Sequence, residues 1–448
     1  MEGVNVAVLV PRRSDNGRRD ELWRFCRAWW EREHPTWEII EGDDEPGLFN
    51  RSRSINTAAA RTDADVLVIA DGDVIPFEVD EAVKVAGESG RACLAYQYGG
   101  YTPLNEAMTD RVLDGYDGRW DTPQGLSRKD QSPDHVSSCV AVPRALWERT
   151  GGFDERFEGW GPEDRAFHHS CMVLGGGVAR VPGKVIHLWH PFSTERNRRT
   201  AEWRAGDAIK RRWWSIVDPA TLDREVADRA TPDATIVVYV TNGRADCLAR
   251  AVPSFTEALD GPIVRTVIVD DSGDPHYQAW IRLTFPGIDL VTTPRRGFDA
   301  AYQTVWRTVA EYGHPWTFVI EDDFEATRPI DLTAMQAAMN ERPELVQMAL
   351  RRQAWFPAEI EAGGVVEQHP DDYTDTPTHL EHRRFITTNP ALWRRSFITH
   401  HDWPKGSHSE SRFASSVFRE PDLVAGYWGQ RSDEPWVIHD GERIGSGY

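Results

Sequence analysis

A short apolar run that empties directly into carboxylates occurs twice in this chain, and it constrains the fold more than any other feature. VLVIA (66–70) leads into Asp71-Gly72-Asp73, and WTFVIEDDFE (316–325) carries Glu321-Asp322-Asp323. Such a run, rich in β-branched residues and without polar alternation, predicts a strand buried on both faces of a parallel sheet. The segments around the first run agree. VNVAVLV (4–10) ends at Pro11 as a first strand, and residues 20–33 place Leu22, Trp23, Phe25, Cys26, Trp29 and Trp30 on a broad helical stripe. WEII (37–40) reads as a strand and residues 50–61 as a helix. This alternation predicts a doubly wound α/β sheet. Ligands of such sheets gather beyond the carboxyl ends of the strands, where these acids stand.

The order of parts then repeats. TIVVYVT (235–241), a helix over 244–259, VRTVIVDDSGD (264–274), IDLVTT (288–293) and a helix over 297–311 precede the second acidic strand end. A period of about 230 residues means duplicated domains and not a solenoid. We therefore expect one α/β domain over 1–195, a polar helical linker over 196–232 and a second α/β domain over 233–448. Residues 96–135, rich in Gly, Tyr, Asp and Pro, read as a long loop over the first site.

Composition narrows the partners. Acidic side chains number 71 against 51 basic ones, for a net charge of -20, a field that repels polyanions. The basic segment Arg196, Arg198, Arg199, Arg204, Lys210, Arg211 and Arg212 is interrupted by Glu202 and Asp207 and reads as a solvated connector. Cys26, Cys93, Cys139, Cys171 and Cys247 stand singly, which predicts reduced thiols and a cytoplasmic setting. The first residues lack the basic n-region of a signal peptide, and no run approaches the length of a membrane span. The 19 Trp residues offer flat faces suited to sugar rings, although most are expected in the core.

Asp71 and Asp73, two apart at a strand end, are hard oxygen ligands of the kind Mg²⁺ or Mn²⁺ takes. By itself DGD is also a common turn. Its surroundings are more specific. GLFNRSRSINTAAARTDADVLVIADGDV (47–74) resembles the region through the DXD motif of GT-A-fold glycosyltransferases, of the β-1,4-galactosyltransferase and polypeptide N-acetylgalactosaminyltransferase type. Phe49-Asn50-Arg51 and Asn56 carry the match, as does GGFDERFEGWGPEDRAF (151–167), with Pro162 where the family has Gly. A third block, GGGVARVPGKVIHLWHP (175–191), supplies the late histidine, His187 first and His190 second.

The resemblance implies two tandem GT-A domains, a Mn²⁺ or Mg²⁺ cofactor and a nucleotide-diphosphate sugar donor. It implies Asp164 as the base that activates an acceptor hydroxyl and Glu163 as a binder of hydroxyls. Asp71, Asp73, His187 and His190 would hold the metal. Pro11, Arg13, Asp43, Arg51, Asp71 and Trp160 would line the donor. In the second half the order of parts assigns Asp271 and Arg296 to the donor, Asp322, Asp323 and His439 to a second metal, and Glu410 to the place of the acid pair. That order leads us to expect a second donor site. The alternative makes the second domain an acceptor-binding or scaffold module. A nucleotidyltransferase is disfavoured, because the loop VPRRSDNGRRD holds a single glycine, Gly17. The acceptor can be a glycan, a protein or a hydroxymethylated base of phage DNA. The tail HDGERIGSGY is similar to tails of phage-encoded proteins of this kind.

Overall fold

The computed structural model describes residues 4–42, 46–115, 135–159, 161–191 and 200–441. The chain divides into two compact units, Met1–Ala227 and Asp228–Tyr448. Both are mixed α/β, as the alternation of apolar strands and amphipathic helices requires.

In the first unit the strands are β1 (Val6–Pro11), β2 (Glu38–Gly42), β3 (Val66–Ala70), β4 (Val74–Pro76), β5 (Ala92–Leu94), β6 (Tyr101–Pro103), β7 (Cys139–Pro143), β8 (Val178–Arg180) and β9 (Val185–His187). The main sheet runs β2-β1-β3-β7-β5-β8. β1 lies parallel to β2 and β3, β7 is antiparallel to β3 and β5, and β5 and β8 are parallel. Every residue of β1, β3 and β7 is buried, which is what their unbroken apolar sequence demands. A small second sheet, β4-β9-β6, stands beyond the carboxyl end of β3. It places His187 directly opposite Val74, next to Asp73.

The segment expected as a polar linker includes part of the first core. Helix Ala201–Ser215, capped by Thr200, packs on helix Glu163–Leu174 and buries Ala205, Ala208, Ile209 and Trp213. These four lie at i, i+3, i+4 and i+8, a helical face hidden in the sequence by the dense charge around it. The indole N–H of Trp213 donates to Asp154 Oδ2 at 3.2 Å, and Arg212 donates to the buried Glu225 at 2.8 Å.

The second unit repeats the plan. Its strands are β10 (Thr235–Thr241), β11 (Leu259–Asp260), β12 (Ile263–Asp270), β13 (Asp289–Thr292), β14 (Trp316–Glu321), β15 (Phe324–Ala326) and β16 (Ile330–Asp331). They continue with β17 (Leu345–Ala349), β18 (Tyr373–Asp375), β19 (His379–His382), β20 (Ala391–Arg394), β21 (Val424–Trp428) and β22 (Val437–His439). Within the sheet β13-β12-β10-β14-β20-β17-β21-β19-β18, the six strands β12-β10-β14-β20-β17-β21 reproduce the order of the first unit. The directions match too, with β20 antiparallel to β14 and β17, and β17 parallel to β21. β15 pairs with β22 as β4 pairs with β9, which sets His439 opposite Phe324 and beside Asp323.

The burial of Trp213 is checkable. Trp213→Ala should lower stability by about 3–5 kcal/mol, the range for emptying a buried tryptophan site. Denaturant unfolding monitored by circular dichroism measures it, and a change within ~0.5 kcal/mol would restore the solvated-connector reading.

Candidate active site

Two sequence blocks far apart in the chain are tied together by two asparagines. Asn50 caps helix Arg51–Ala59 by accepting from Arg53 N at 2.9 Å, while its amide donates to the Glu155 carbonyl at 2.8 Å. Asn56 donates to the Phe153 carbonyl at 2.9 Å and accepts from Phe153 N at 2.9 Å. Gly152 is required here: its φ is +68°, and a Cβ would stand 2.6 Å from Asn56 Oδ1. These bonds bring the Arg51 helix, the strand end at Asp71 and the start of helix Glu163–Leu174 into one place.

Arg51 occupies their centre. Its Nη2 donates to Asp71 Oδ1 at 2.8 Å, and its Nη1 lies 3.6 Å from Glu163 Oε1. Burial works against the guanidinium charge, but the Asp71 and Glu163 carboxylates hold its pKa above the ordinary value. Burial pushes Asp71 up, and Arg51 outweighs it and keeps Asp71 below the usual range. Glu163 goes the other way. Burial, with the charges of Asp164 and Asp71, lifts it to about 8 against the pull of Arg51. At neutral pH it is therefore a neutral acid that can donate a hydrogen bond, and its Oε2 is buried without a protein partner. Pro162 precedes the helix, so Glu163 and Asp164 stand in its first turn. That favours negative charge at the helix dipole and presents both acids at the site. Asp164 Oδ1 accepts from Arg165 N at 2.7 Å.

Asp73 belongs to a different group. Among the described residues, Asp73, His187 and His190 offer ligand atoms that all lie within 4.8 Å of one another. His187 Nε2 is 3.6 Å from Asp73 Oδ1, and His190 Nε2 is 3.2 Å from Asp73 Oδ2. His190 Nδ1 lies 2.7 Å from the Pro191 carbonyl, a contact that calls for a proton on Nδ1 and leaves the Nε2 lone pair facing Asp73. Burial lowers the His190 pKa, which keeps that lone pair free. One carboxylate and two imidazoles are a fitting donor set for a divalent ion with mixed O and N ligation. Asp71, expected in the same set, is turned to Arg51 instead.

The remaining expected residues fall as follows. Pro11 closes β1 and is buried; Arg13 donates to the Gly47 carbonyl at 2.6 Å and lies over the Phe49 ring at 5.6 Å. Asp43 and Trp160 lie outside the described residues. Arg51 was expected against phosphate, and here it lies between the Asp71 carboxylate and the Glu163 carboxyl group. The sequence reading missed His135, Tyr101 and Arg180. His135 stacks on Tyr101 at 3.8 Å between ring centroids, and Arg180 donates to the His135 carbonyl at 2.7 Å. Burial drives His135 down to about 4 despite the charges of Asp164 and Asp71. No motif marks these residues; the signal was the aromatic content of the 96–135 stretch.

In the second unit Asp322, Asp323 and His439 are neighbours, but among the described residues they do not form a group with metal-ligand spacing. Arg244 lies between the two carboxylates, donating to Asp322 Oδ1 and, at 2.6 Å, to Asp323 Oδ2. Asp322 Oδ2 also accepts from Thr241 Oγ1 at 2.6 Å. His439 Nε2 is 3.4 Å from Asp323 Oδ2. Asp271, expected against the donor, is turned inward. Fully buried, it accepts from Gly297 N at 2.9 Å, Arg296 N at 3.2 Å and the Thr293 hydroxyl, and so anchors the loop before helix Phe298–Tyr312. The Arg296 side chain is exposed. Glu410 is half-buried in the first turn of helix Ser409–Val417 and accepts from Thr388 N at 2.9 Å; desolvation raises its pKa.

A family model described as the N-terminal domain of galactosyltransferase matches residues 124–192, so this stretch is galactosyltransferase-like. It contains Trp160, Glu163, Asp164, His187 and His190. No curated protein sequence matches the chain. Among solved structures the chain is similar to CMP:2-keto-3-deoxy-manno-octonic acid synthetase complexed with CTP. That similarity has 12% identity over 44% of this chain and 88% of that one, with a TM-score of 0.30, and carries no assignment.

Glu163 makes a pH prediction. With its folded pKa raised from 4.5 to about 8, the folded protein binds the proton more tightly than the unfolded chain. Stability should therefore fall as pH rises through that window, from about 5 to 8. Glu163→Gln should flatten this slope in urea titrations of metal-free protein. An unchanged slope would show that another group carries the proton.

Proposed function

We propose that the first unit transfers a sugar from a nucleotide-diphosphate donor to an acceptor hydroxyl, with Mn²⁺ or Mg²⁺ held by Asp73, His187 and His190. One observation carries the reading: the acid pair Glu163-Asp164 and both imidazoles lie inside the galactosyltransferase-like segment, and the fold sets those imidazoles around the strand-end Asp73. A bound divalent ion supplies Lewis-acid stabilisation of the departing diphosphate. The chain supplies the rest. Asp73, His187 and His190 would hold the ion. Arg51, held between Asp71 and Glu163, offsets the charge of Asp71 at the floor of the site. Asp164 accepts the proton of the attacking hydroxyl, and Glu163, neutral at pH 7, donates a hydrogen bond from its free oxygen to a sugar or acceptor oxygen. His135 stacks on Tyr101, whose ring lies 5.8 Å from that of His187.

The acceptor is proposed as a glycan or a protein hydroxyl, since a net charge of -20 disfavours a DNA polyanion. Among the described residues no helix is long and apolar enough to cross a membrane. Hydrolysis of a panel of UDP-, GDP- and TDP-sugars by the purified chain identifies the donor.

Two substitutions test the roles. Asp73→Ala should abolish transfer and divalent-ion binding together; full activity of this variant, or of the native chain in chelator, would overturn the metal reading. Asp164→Asn should keep donor binding and lose at least ~10²-fold in turnover, the lower end of a general-base contribution. If Glu163→Gln alone shows that loss, the two roles are exchanged.

A further inference from the structure

We propose that the acidic strand end of the second unit is a cation site closed by the chain itself. The Arg244 guanidinium stands where a divalent ion would stand, and this unit binds neither a metal nor a diphosphate through one.

The two units permit a residue-by-residue comparison. β4 pairs with β9 so that Val74 faces His187, and β15 pairs with β22 so that Phe324 faces His439. Asp73 and Asp323 are thus equivalent, each just before the short strand that meets the late histidine. Asp71 then corresponds to Glu321, and Gly72 to Asp322. The second unit has therefore put a carboxylate where the first has no side chain. Asp322 and Asp323 are both buried, with side chains 0% and 7% exposed, and two such charges require a cation between them.

The loop after the first strand of each unit decides which cation it is. After β1, Arg12 is turned away to Asp20 and Glu41, and Arg13 goes to the Gly47 carbonyl and the Phe49 face. The Asp73 group is left to its two imidazoles. After β10, Arg244 is turned in. It takes one oxygen from each aspartate, and Thr241 takes the second oxygen of Asp322. His439 is pinned by Gln353 through both its backbone N–H and its carbonyl, each at 2.8 Å, and is stacked against Phe324 at 4.6 Å. Three of the four carboxylate oxygens of Asp322 and Asp323 thus already accept hydrogen bonds, two of them from Arg244, while Asp323 Oδ1 is buried without a hydrogen-bond partner. A guanidinium does not lose its proton in proteins, so this cation cannot be switched off by pH.

The test counts Mn²⁺ on the full chain by electron paramagnetic resonance and titration calorimetry. In the native chain, Asp323→Asn should leave the count unchanged. Arg244→Gln should gain one ion per chain, and Arg244→Gln combined with Asp323→Asn should lose it again. Arg244→Lys should gain none, since it keeps a positive charge in place. Loss of an ion on Asp323→Asn in the native background would overturn the proposal, as would a folded Arg244→Gln chain that gains nothing. Loss of a native ion on Asp73→Asn reports on the first unit separately. A native chain without any ion, whose Arg244→Gln variant gains one, would sink the metal reading of the first unit and uphold this inference.

Discussion

Carboxylates at the carboxyl end of a buried strand repel one another and lose most of their hydration, so everything around them is arranged to bring in positive charge. Both units face this constraint at the same place in the same sheet. In the first, Arg51 comes from the start of the helix that precedes the strand and neutralises Asp71, and Asp73 is left facing His187 and His190. In the second, Arg244 comes from the loop after the first strand and takes both aspartates. One topology thus supports a strand-end aspartate that faces two imidazoles and a pair of aspartates bridged by a guanidinium. The difference lies in which loop donates the arginine, and fold alone does not determine chemistry.

The first site also depends on a neutral scaffold. Asn50 and Asn56 satisfy backbone groups of the 153–155 turn across about a hundred residues of chain, and Gly152 lets the two segments approach. These bonds carry no net charge and so remain in force whatever the protonation of Glu163. They set the distance between Arg51 and the acid pair, and with it the balance that keeps Asp71 ionised and Glu163 protonated.

Much of this was legible in the sequence. Unbroken apolar runs ending in acids identified β3 and β14, and the duplicated order of parts predicted the duplicated sheet. The block VIHLWHP held both imidazoles that now face Asp73. What could not be read were choices between partners. Asp71 and Asp73 look alike in sequence, but one turns to an arginine and the other to histidines, partners brought in by distant parts of the chain. Asp271 looks like a ligand-binding acid, and it is instead consumed by the backbone N–H groups of a loop that no pattern could place against it. Arg244 is one arginine among many, and only the curl of its loop aims it at Asp322. Trp213 lay in a segment whose charge masked its apolar face.

The pairing of β4 with β9 has a consequence for biogenesis. β9 ends in His187 and is among the last parts of the first unit to leave the ribosome, long after Asp71 and Asp73 have emerged. A nascent chain stalled before that strand carries the aspartates without their imidazoles. On the metal reading proposed above, the ligand set would be assembled only once translation has passed His190, with helix Ala201–Ser215 still to come.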